Sequence, residues 1–264
     1  MLILNEEKYA KDLYDGTNQD VKSIMTKIRY ITRYLTHSEQ KNEDEIYRET
    51  VKWLQQHHNN FDESSYSKVI SDAIKAASKY PFYIIDNIKI TRSELEVISS
   101  LDNLRAEKIL FVLLCMAKQQ SMANGFTNGL VKYSITDLCK AARVSVPADD
   151  REYILYEIVQ KGLLGYPKKN NTQCLIVNFI NIDEIALELD EIDCQELAYA
   201  YLSWKNDGKG YGKCQRCHKL MKQGKTKPKK YCESCAKEVE RENSKERVRR
   251  YREKCNDNLT QQND

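Results

Sequence analysis

The sequence predicts a mainly α-helical protein with a small β component, an α+β fold class. Apolar residues recur at helical spacing through most of residues 19–122, and short strand-like runs alternate with helices between residues 105 and 180. The chain then ends in a polar, cysteine-rich segment. We therefore expect four regions: a helical N-terminal region (1–104), a mixed region (105–180), an acidic helical connector (181–207) and a C-terminal region (208–264).

The N-terminal region contains three predicted helices, each with an apolar stripe. Pro81 ends the third helix, because proline has no N–H to donate and restricts the residue before it. A short extended segment at 83–90 follows, and Thr91 and Glu94 then have the spacing of a capping box at the start of another helix. The stripes comprise Ile24, Ile28, Ile31 and Leu35; Ile46, Val51 and Leu54; and Val69, Ile70, Ala73, Ile74 and Ala77.

The segment from about Arg105 to Gln120 is apolar on several sides and predicts a helix at the centre of a core. After it, the pattern predicts a strand at 129–133, a helix at 134–144 and a helix at 147–164. Two strands joined by a polar turn complete the region. This element order is that of a winged helix-turn-helix, and the alternative is an unrelated α+β arrangement of the same elements. The two final strands are 163–166 and 173–180.

Charge is distributed unevenly along the chain. Residues 208–264 hold 17 Lys and Arg against 8 Asp and Glu, a balance of +9, and the whole chain holds 42 against 39, which leaves 25 against 31, or −6, for residues 1–207. A basic tail on an acidic body indicates contact with a polyanion, most often nucleic acid, although a basic helix also occurs as a solvated face. Three glycines in residues 206–212 predict a linker between the two parts.

Two C-x-x-C pairs lie in the tail, Cys214 with Cys217 and Cys232 with Cys235. The first pair is followed by His218, and C-x-x-C-H is also the attachment sequence of a c-type haem. A haem needs an apolar pocket and usually a second axial ligand, whereas this segment is polar and nothing in it indicates export. Four thiolates at this spacing are typical of a closed, structural Zn²⁺ site. An iron–sulfur cluster or disulfides remain the alternatives, and His218 is expected to occupy a left-handed backbone position rather than to bind metal.

The residues after Cys232 lack Pro and Gly and favour a long helix that carries the last two ligands on its first turn. With a hairpin at 219–230, this predicts a treble-clef-like zinc finger. Nucleases of the HNH type use that fold, but they need further catalytic histidines. In this chain His37, His57 and His58 lie far from the tail, so we expect no enzymatic activity.

One face of the predicted terminal helix is basic. At 100° per residue the basic residues fall within an arc of roughly 120°, flanked by Glu242, Glu246 and Glu253. Such a face suits a phosphate backbone or a major groove; the alternatives are a solvated terminus and contact with an acidic protein. The predicted nucleic-acid-binding residues are Lys229, Lys230, Lys237, Arg241, Lys245, Arg249 and Arg252, with Lys168 and Lys169 at the tip of the wing.

The second helix of the predicted winged helix is a poor surface for phosphates. It carries Asp149, Asp150, Glu152 and Glu157 against Arg151 and Lys161. Nearby, Lys140 and Arg143 are the basic residues that could assist. We therefore expect this region to pack or dimerise as readily as it reads bases.

Several segments resemble a family of poorly characterised proteins carried by phages and integrated elements of Gram-positive bacteria. The resemblance covers most of residues 20–255 and lies in KYPFYIIDNIKITRSELEVISSL, EKILFVLLCMAK, ARVSVPADDREYILYEIVQKGLL with its IVNFI strand, and the terminal cysteine motif. His218 departs from the glycine usual after the first pair. The resemblance implies a phage or mobile-element protein acting in a bacterial cytoplasm, and it brings no established activity.

Together these observations predict a non-enzymatic, zinc-containing DNA-binding protein, regulatory or associated with replication. Its expected partner is double-stranded DNA, with a host or phage protein and a homodimer also compatible. The alternative is a protein-binding effector that inhibits or redirects a host polymerase, replisome or defence complex. A further hypothesis is that the acidic segment 181–207 folds over the basic tail and inhibits it. No apolar run reaches the roughly 20 residues of a membrane span, and the N-terminus lacks the basic start of a signal peptide, so a cytoplasmic location is expected.

Overall fold

The computed structural model describes residues 2–17, 23–125, 128–168, 174–224 and 226–260, with side chains as far as Arg252. Within these residues the chain is mainly helical and contains small antiparallel sheets, as the sequence predicts. None of the described helices combines the length and apolar character that a membrane span requires.

The N-terminal helices are α1 (Glu6–Tyr14), α2 (Ile24–His37), α3 (Glu43–His57) and α4 (Glu63–Ala77). The predicted apolar stripes of α2, α3 and α4 meet in one buried cluster, to which α1 also contributes. Side-chain caps start three of these helices: Asn5 caps α1, Asn42 forms a capping box with Glu45, and Asp62 caps α4. Sequence periodicity did not reveal α1, because a helix of nine residues has too few apolar positions to form a recognisable pattern.

The centre of the second cluster is α6 (Leu104–Asn124), preceded by β1 (Ile88–Thr91) and α5 (Arg92–Ser99). As predicted, α6 is buried on several sides, with Leu110, Phe111 and Leu113 fully enclosed. It ends at Gly125, whose φ of 69° closes the helix in left-handed geometry. The predicted boundary at residue 104 falls inside this cluster, because β1 and α5 pack against α6.

A three-stranded antiparallel sheet follows α6. The elements are β2 (Leu130–Lys132), α7 (Ile135–Ala141), α8 (Ala148–Gln160), β3 (Leu164–Gly165) and β4 (Cys174–Val177). The strand order is β2-β4-β3, with β4 in the middle. Both helices pack on α6 and so extend the same core.

The segment 181–207 differs from the predicted acidic helical connector. Its first part is a strand, β5 (Ile185–Leu189), which pairs antiparallel with β1, so that Leu189 lies opposite Ile88. Its last part is α9 (Leu197–Lys205), which packs on α6 with Tyr201 completely buried. A strand forms because β1 offers an unpaired edge, and Leu187 and Leu189 of β5 pack against the core from that edge.

The C-terminal region packs against the rest of the chain. The strands β6 (Tyr211–Lys213) and β7 (Leu220–Lys222) pair across the first cysteine pair, and α10 runs over Glu233–Thr260. The hairpin predicted at 219–230 is therefore wrong, since β7 pairs with residues upstream of it. The predicted linker is a tight turn, in which Gly208 and Gly210 supply φ values of 75° and 82°.

Candidate metal centre and basic surface

The four tail cysteines form one cluster. The sulfur atoms of Cys214, Cys217, Cys232 and Cys235 all lie within 4.8 Å of one another, and those of Cys217 and Cys232 are 3.6 Å apart. A tetrahedral zinc ion with Zn–S bonds of about 2.3 Å separates its sulfur ligands by about 3.8 Å. The cluster therefore has the donor set and dimensions to bind a metal ion such as zinc.

Each cysteine pair is positioned by a different element. The first pair lies in the turn between β6 and β7, where the Cys214 N–H donates to the carbonyl of Lys219 at 3.0 Å and the His218 N–H donates to the carbonyl of Cys214 at 3.0 Å. Cys232 immediately precedes α10, and Cys235 lies in its first turn. The predicted arrangement of ligands on a turn and a helix start is thus observed.

His218 follows the first pair in left-handed conformation, with φ of 58°. This confirms the backbone geometry that the sequence predicts for the position after the second cysteine. The metal-ligand cluster found in the described residues comprises the four cysteines and does not include the imidazole of His218.

The pKa values of the cysteine thiols are shifted in opposite directions. At Cys214 burial raises the pKa, but the backbone N–H groups of Cys217, Cys232 and Arg216 outweigh it and bring the pKa down to about 6. At Cys235 burial and then the neighbouring thiols raise the pKa to about 12. Thiolates this close repel one another, so a bound divalent cation supplies the positive charge that four deprotonated ligands need.

The helix α10 presents the predicted basic face to solvent. Its 28 residues span about 42 Å, and beyond the buried Cys235 its side chains are mostly exposed. Lys237 pairs with Glu233 at 2.8 Å, and Arg249 pairs with Glu246 at 2.9 Å. The remaining members of the face, Arg241, Lys245 and Arg252, form no ion pair with a described side chain.

Arg216, between the cysteines of the first pair, joins this turn to α10. Its two terminal nitrogens donate to the carboxylate of Glu242 at 2.9 and 2.8 Å, and its Nε lies 3.6 Å from Glu238. Glu238 itself falls inside the arc of the basic residues on the helical wheel. The single positive charge of Arg216 thus offsets part of the charge of the two carboxylates on or beside the basic face.

The other predicted basic positions lie apart from α10 in the sequence. Lys229 and Lys230 are exposed in the segment between β7 and α10, where the Lys229 N–H donates to Gln223 Oε1 at 2.6 Å. Lys168 is exposed after β3, and Lys169 lies outside the described residues. Among the described side chains, no hydrogen bond or ion pair joins these lysines to the basic face.

Arg143 is engaged within the protein. Its guanidinium group lies 2.6 Å from the carboxylate of Glu196 and 4.3 Å from the ring centroid of Tyr199. The residue has φ of 49°, and its carbonyl accepts a hydrogen bond from the ammonium group of Lys108 at 2.9 Å. Sequence reasoning had offered Arg143 as a phosphate contact, but its charge is already matched by a carboxylate and an aromatic face.

The acidic segment 181–207 pairs mainly with the body of the protein. Its carboxylates contact Lys8, Arg92, Arg143 and, at 3.8 Å, Lys213 of β6. Within the part of the chain that the structure describes, none of them forms an ion pair with a basic residue of α10. The acidic segment therefore contacts the tail through Asp193 and Lys213, and among the described residues it does not cover the basic face of α10.

The N-terminal histidines have local partners. The ring of His57 stacks on Trp53 with centroids 4.0 Å apart, and His58 Nε2 lies 3.3 Å from Lys27 Nζ. His37 Nε2 lies 2.8 Å from the carbonyl of Ala77. These contacts place all three side chains in the packing of the helical cluster.

Comparison of the chain with protein-family models, with curated proteins and with solved structures finds no match.

Proposed function

We propose that this protein is a non-enzymatic, zinc-containing DNA-binding protein whose terminal helix supplies most of the phosphate contacts. The carrying observation is the exposed basic face of α10, fixed at its start by the cysteine cluster. Arg216 strengthens the proposal because it offsets Glu238 and Glu242. A rigid helix with one basic face can follow a phosphate backbone or enter a major groove.

In this proposal the metal is a structural Zn²⁺. Four cysteine thiolates leave no open position for a substrate or water, which is typical of structural sites. The small buried cluster around Cys214, Met221 and Cys235 offers little apolar stabilisation of its own. Binding of zinc contributes about 10–16 kcal/mol in small finger peptides and accounts for an ordered tail of this composition. The cysteine turn and the ligand-bearing helix support a treble-clef-like zinc finger, although β6 and β7 take the place of the hairpin expected at 219–230.

The region around α7 and α8 is proposed to be a winged helix. Two helices followed by a hairpin, with sheet order β2-β4-β3, support this interpretation. Because α8 carries four carboxylates and Arg143 is already paired, we assign this unit to scaffolding or protein contact and the tail to DNA. The resemblance described above supports a role in a phage or mobile element of a Gram-positive host, in regulation or replication.

The test is the salt dependence of DNA binding by the full chain. If about six lysines and arginines contact phosphates, log K falls with log salt at a slope of about −5 on double-stranded DNA. A variant with Lys237, Arg241 and Lys245 all changed to Gln tests the basic face itself. It keeps helix propensity and removes three of the charges that the proposal assigns to phosphate contact. A slope near zero for the wild-type chain would exclude the proposal.

A protein-binding effector is the second candidate, favoured by exposed apolar residues on the acidic body. Ile182 is 98% exposed and Ile185 is 44% exposed, with Glu184 between them. Exposed apolar side chains among carboxylates suit a protein contact better than a nucleic acid. Affinity capture from bacterial cells with nuclease treatment separates the candidates: a partner that is kept after nuclease and after deletion of residues 208–264 favours the effector.

A further inference from the structure

The outward face of α8 carries large aromatic side chains in contact with solvent. Tyr153 is 61% exposed and Tyr156 is 53% exposed, while Ile154, Leu155 and Ile158 bury the opposite face. Tyrosines concentrated on one surface are typical of protein interfaces, because they offer a large contact area and lose few rotamers on binding.

Neighbouring elements extend this aromatic surface. Tyr166, directly after β3, is 64% exposed. The strand β3, which directly precedes Tyr166, packs against α8, so that Tyr166 lies at the edge of the sheet next to this helix. Tyr133 follows β2 of the same sheet and is half-buried, and burial raises its pKa. The exposed tyrosines therefore belong to one patch that includes α8 and the adjoining sheet, which we name the tyrosine face: Tyr133, Glu152, Tyr153, Tyr156 and Tyr166.

The same face is acidic. Arg151 is the basic residue among its helical neighbours, and it is half-buried with its Nε donating to the carbonyl of Val146 at 3.3 Å. The acidic side chains of α8 form no ion pair with any described side chain. A basic, extended partner would neutralise the repulsion among these carboxylates and cover the exposed tyrosine rings. The acidic residues are Asp149, Asp150, Glu152 and Glu157.

A matching partner surface exists in the chain itself. The basic face of α10 from Lys237 to Arg252 is about 22 Å long, and the 13 residues of α8 span about 20 Å. Arginine side chains stack on tyrosine rings as well as pairing with carboxylates. No ion pair links α8 and α10 within one copy among the described residues, so each surface is available to a second copy.

We propose that two copies of this chain associate by docking the basic face of α10 of each copy on the tyrosine face of the other. The exchange is reciprocal, so it closes as a two-fold dimer. It uses the face of α10 that DNA uses in the proposed function, and the two ligands compete. Self-association then keeps DNA-free protein from binding other polyanions, while DNA separates the dimer.

Charge reversal on either surface provides the test. One variant carries Glu152→Lys and Glu157→Lys, and the other carries Lys245→Glu and Arg252→Glu. In the first variant the tyrosine face keeps two carboxylates against two new lysines, and in the second the basic face keeps three cations against two new glutamates. The attraction between the two surfaces is therefore largely lost in each variant. When the two variants are mixed, one contact joins the two unaltered surfaces and restores the wild-type pairing, and the other joins the two altered surfaces.

The measurement is sedimentation velocity on nuclease-treated full chain, over about 1–100 µM, at about 0.1 M salt, where charges act over about 10 Å. We expect a concentration-dependent dimer for the wild type, at least a tenfold weaker dimer for each variant alone, and recovery in the equimolar mixture. Circular dichroism confirms that both variants keep their helix content.

Three results overturn the proposal: a wild-type chain that stays monomeric, a dimer unaffected by either reversal, or a mixture of folded variants that does not recover. Binding of an unrelated lysine-rich peptide to the tyrosine face of a monomeric wild type reassigns that face to a basic protein partner. Tyr153→Ser with Tyr156→Ser separates this inference from the proposed function. It abolishes the dimer and leaves the α10 surface, and hence DNA affinity, intact or higher.

Discussion

Arg216 and Glu242 form a two-pronged ion pair, with both terminal nitrogens of the guanidinium group bound to the carboxylate at 2.9 and 2.8 Å. The pair connects the turn of the first cysteine pair to the third turn of α10. Fork-to-fork geometry is the most directional form of this interaction, although Arg216 is 39% exposed and water weakens the attraction. Its larger effect is on the charge of the helix, because its positive charge is shared between the carboxylates of Glu238 and Glu242.

The Arg216→Ala variant is expected to keep its metal and to bind DNA more weakly. Glu238 and Glu242 then repel phosphates from the start of the basic face. Adding Glu242→Ala to the variant should recover part of the lost affinity, since one of the uncompensated carboxylates is removed. Affinity of the two variants at one salt concentration checks this, and an equal loss in both would show that Arg216 acts only as a phosphate contact.

Replacement of a metal ligand is expected to abolish metal binding and the structure of the tail. Cys214→Ser removes a buried thiolate from the cluster, and Cys232→Ser removes one from the start of α10. Elemental analysis by mass spectrometry should find about one zinc per chain in the wild type and almost none in either variant. Cys174→Ser is the control, because Cys174 lies in β4 outside the cluster, and it should keep full zinc. Full zinc in the ligand variants would contradict the assignment.

Two residues of the basic face of α10 provide a graded test of DNA contact. Lys245→Ala with Arg252→Ala should make the salt slope shallower by about 2, because each phosphate contact contributes about 0.9. Arg247→Ala is the matched control, since Arg247 lies on the opposite side of the helix and donates to Ser244 Oγ at 3.0 Å. If replacing Arg247 changed the salt slope as much as replacing Lys245 or Arg252, the result would indicate a diffuse charge effect rather than one binding face.

The carboxylate of Glu94 is fully buried and should be important for stability. It lies 2.7 Å from the ammonium group of Lys118 and accepts N–H bonds from Thr91 and Asn181 at 2.8 and 3.0 Å. Glu94→Ala leaves the ammonium group of Lys118 without its carboxylate, although the carbonyl of Lys89 still accepts from it at 2.7 Å, and should lower the free energy of unfolding by about 3–5 kcal/mol.

Denaturant unfolding measures this loss of stability. Glu96→Ala, on the exposed side of the same helix, is the control and should change the free energy of unfolding by less than about 0.5 kcal/mol. A similar small change at Glu94 would contradict the prediction.

Much of the helical structure could be predicted from local pattern. The apolar stripes of α2, α3 and α4, the unusually apolar α6 and the Pro147 start of α8 all act within a few turns of chain. The spacing of the four cysteines likewise predicts the set of four sulfur atoms that the structure brings together. For such features the relevant partners are neighbours in sequence, so periodicity and spacing are sufficient evidence.

Features that depend on distant partners were decided by the tertiary structure. The segment predicted as a helical connector became β5 because β1, almost a hundred residues earlier, offers an unpaired edge. Arg143 is a candidate phosphate contact from the sequence, whereas in the structure its charge is matched by Glu196 and the ring of Tyr199. Arg216 pairs with Glu242 because the tertiary structure places the first cysteine turn beside α10. Sequence by itself determined which residues could form helices and bind a metal, whereas the fold decided which charges are neutralised internally and which remain exposed. The reason is that an ion pair depends on distance in space, and local periodicity carries no information about it.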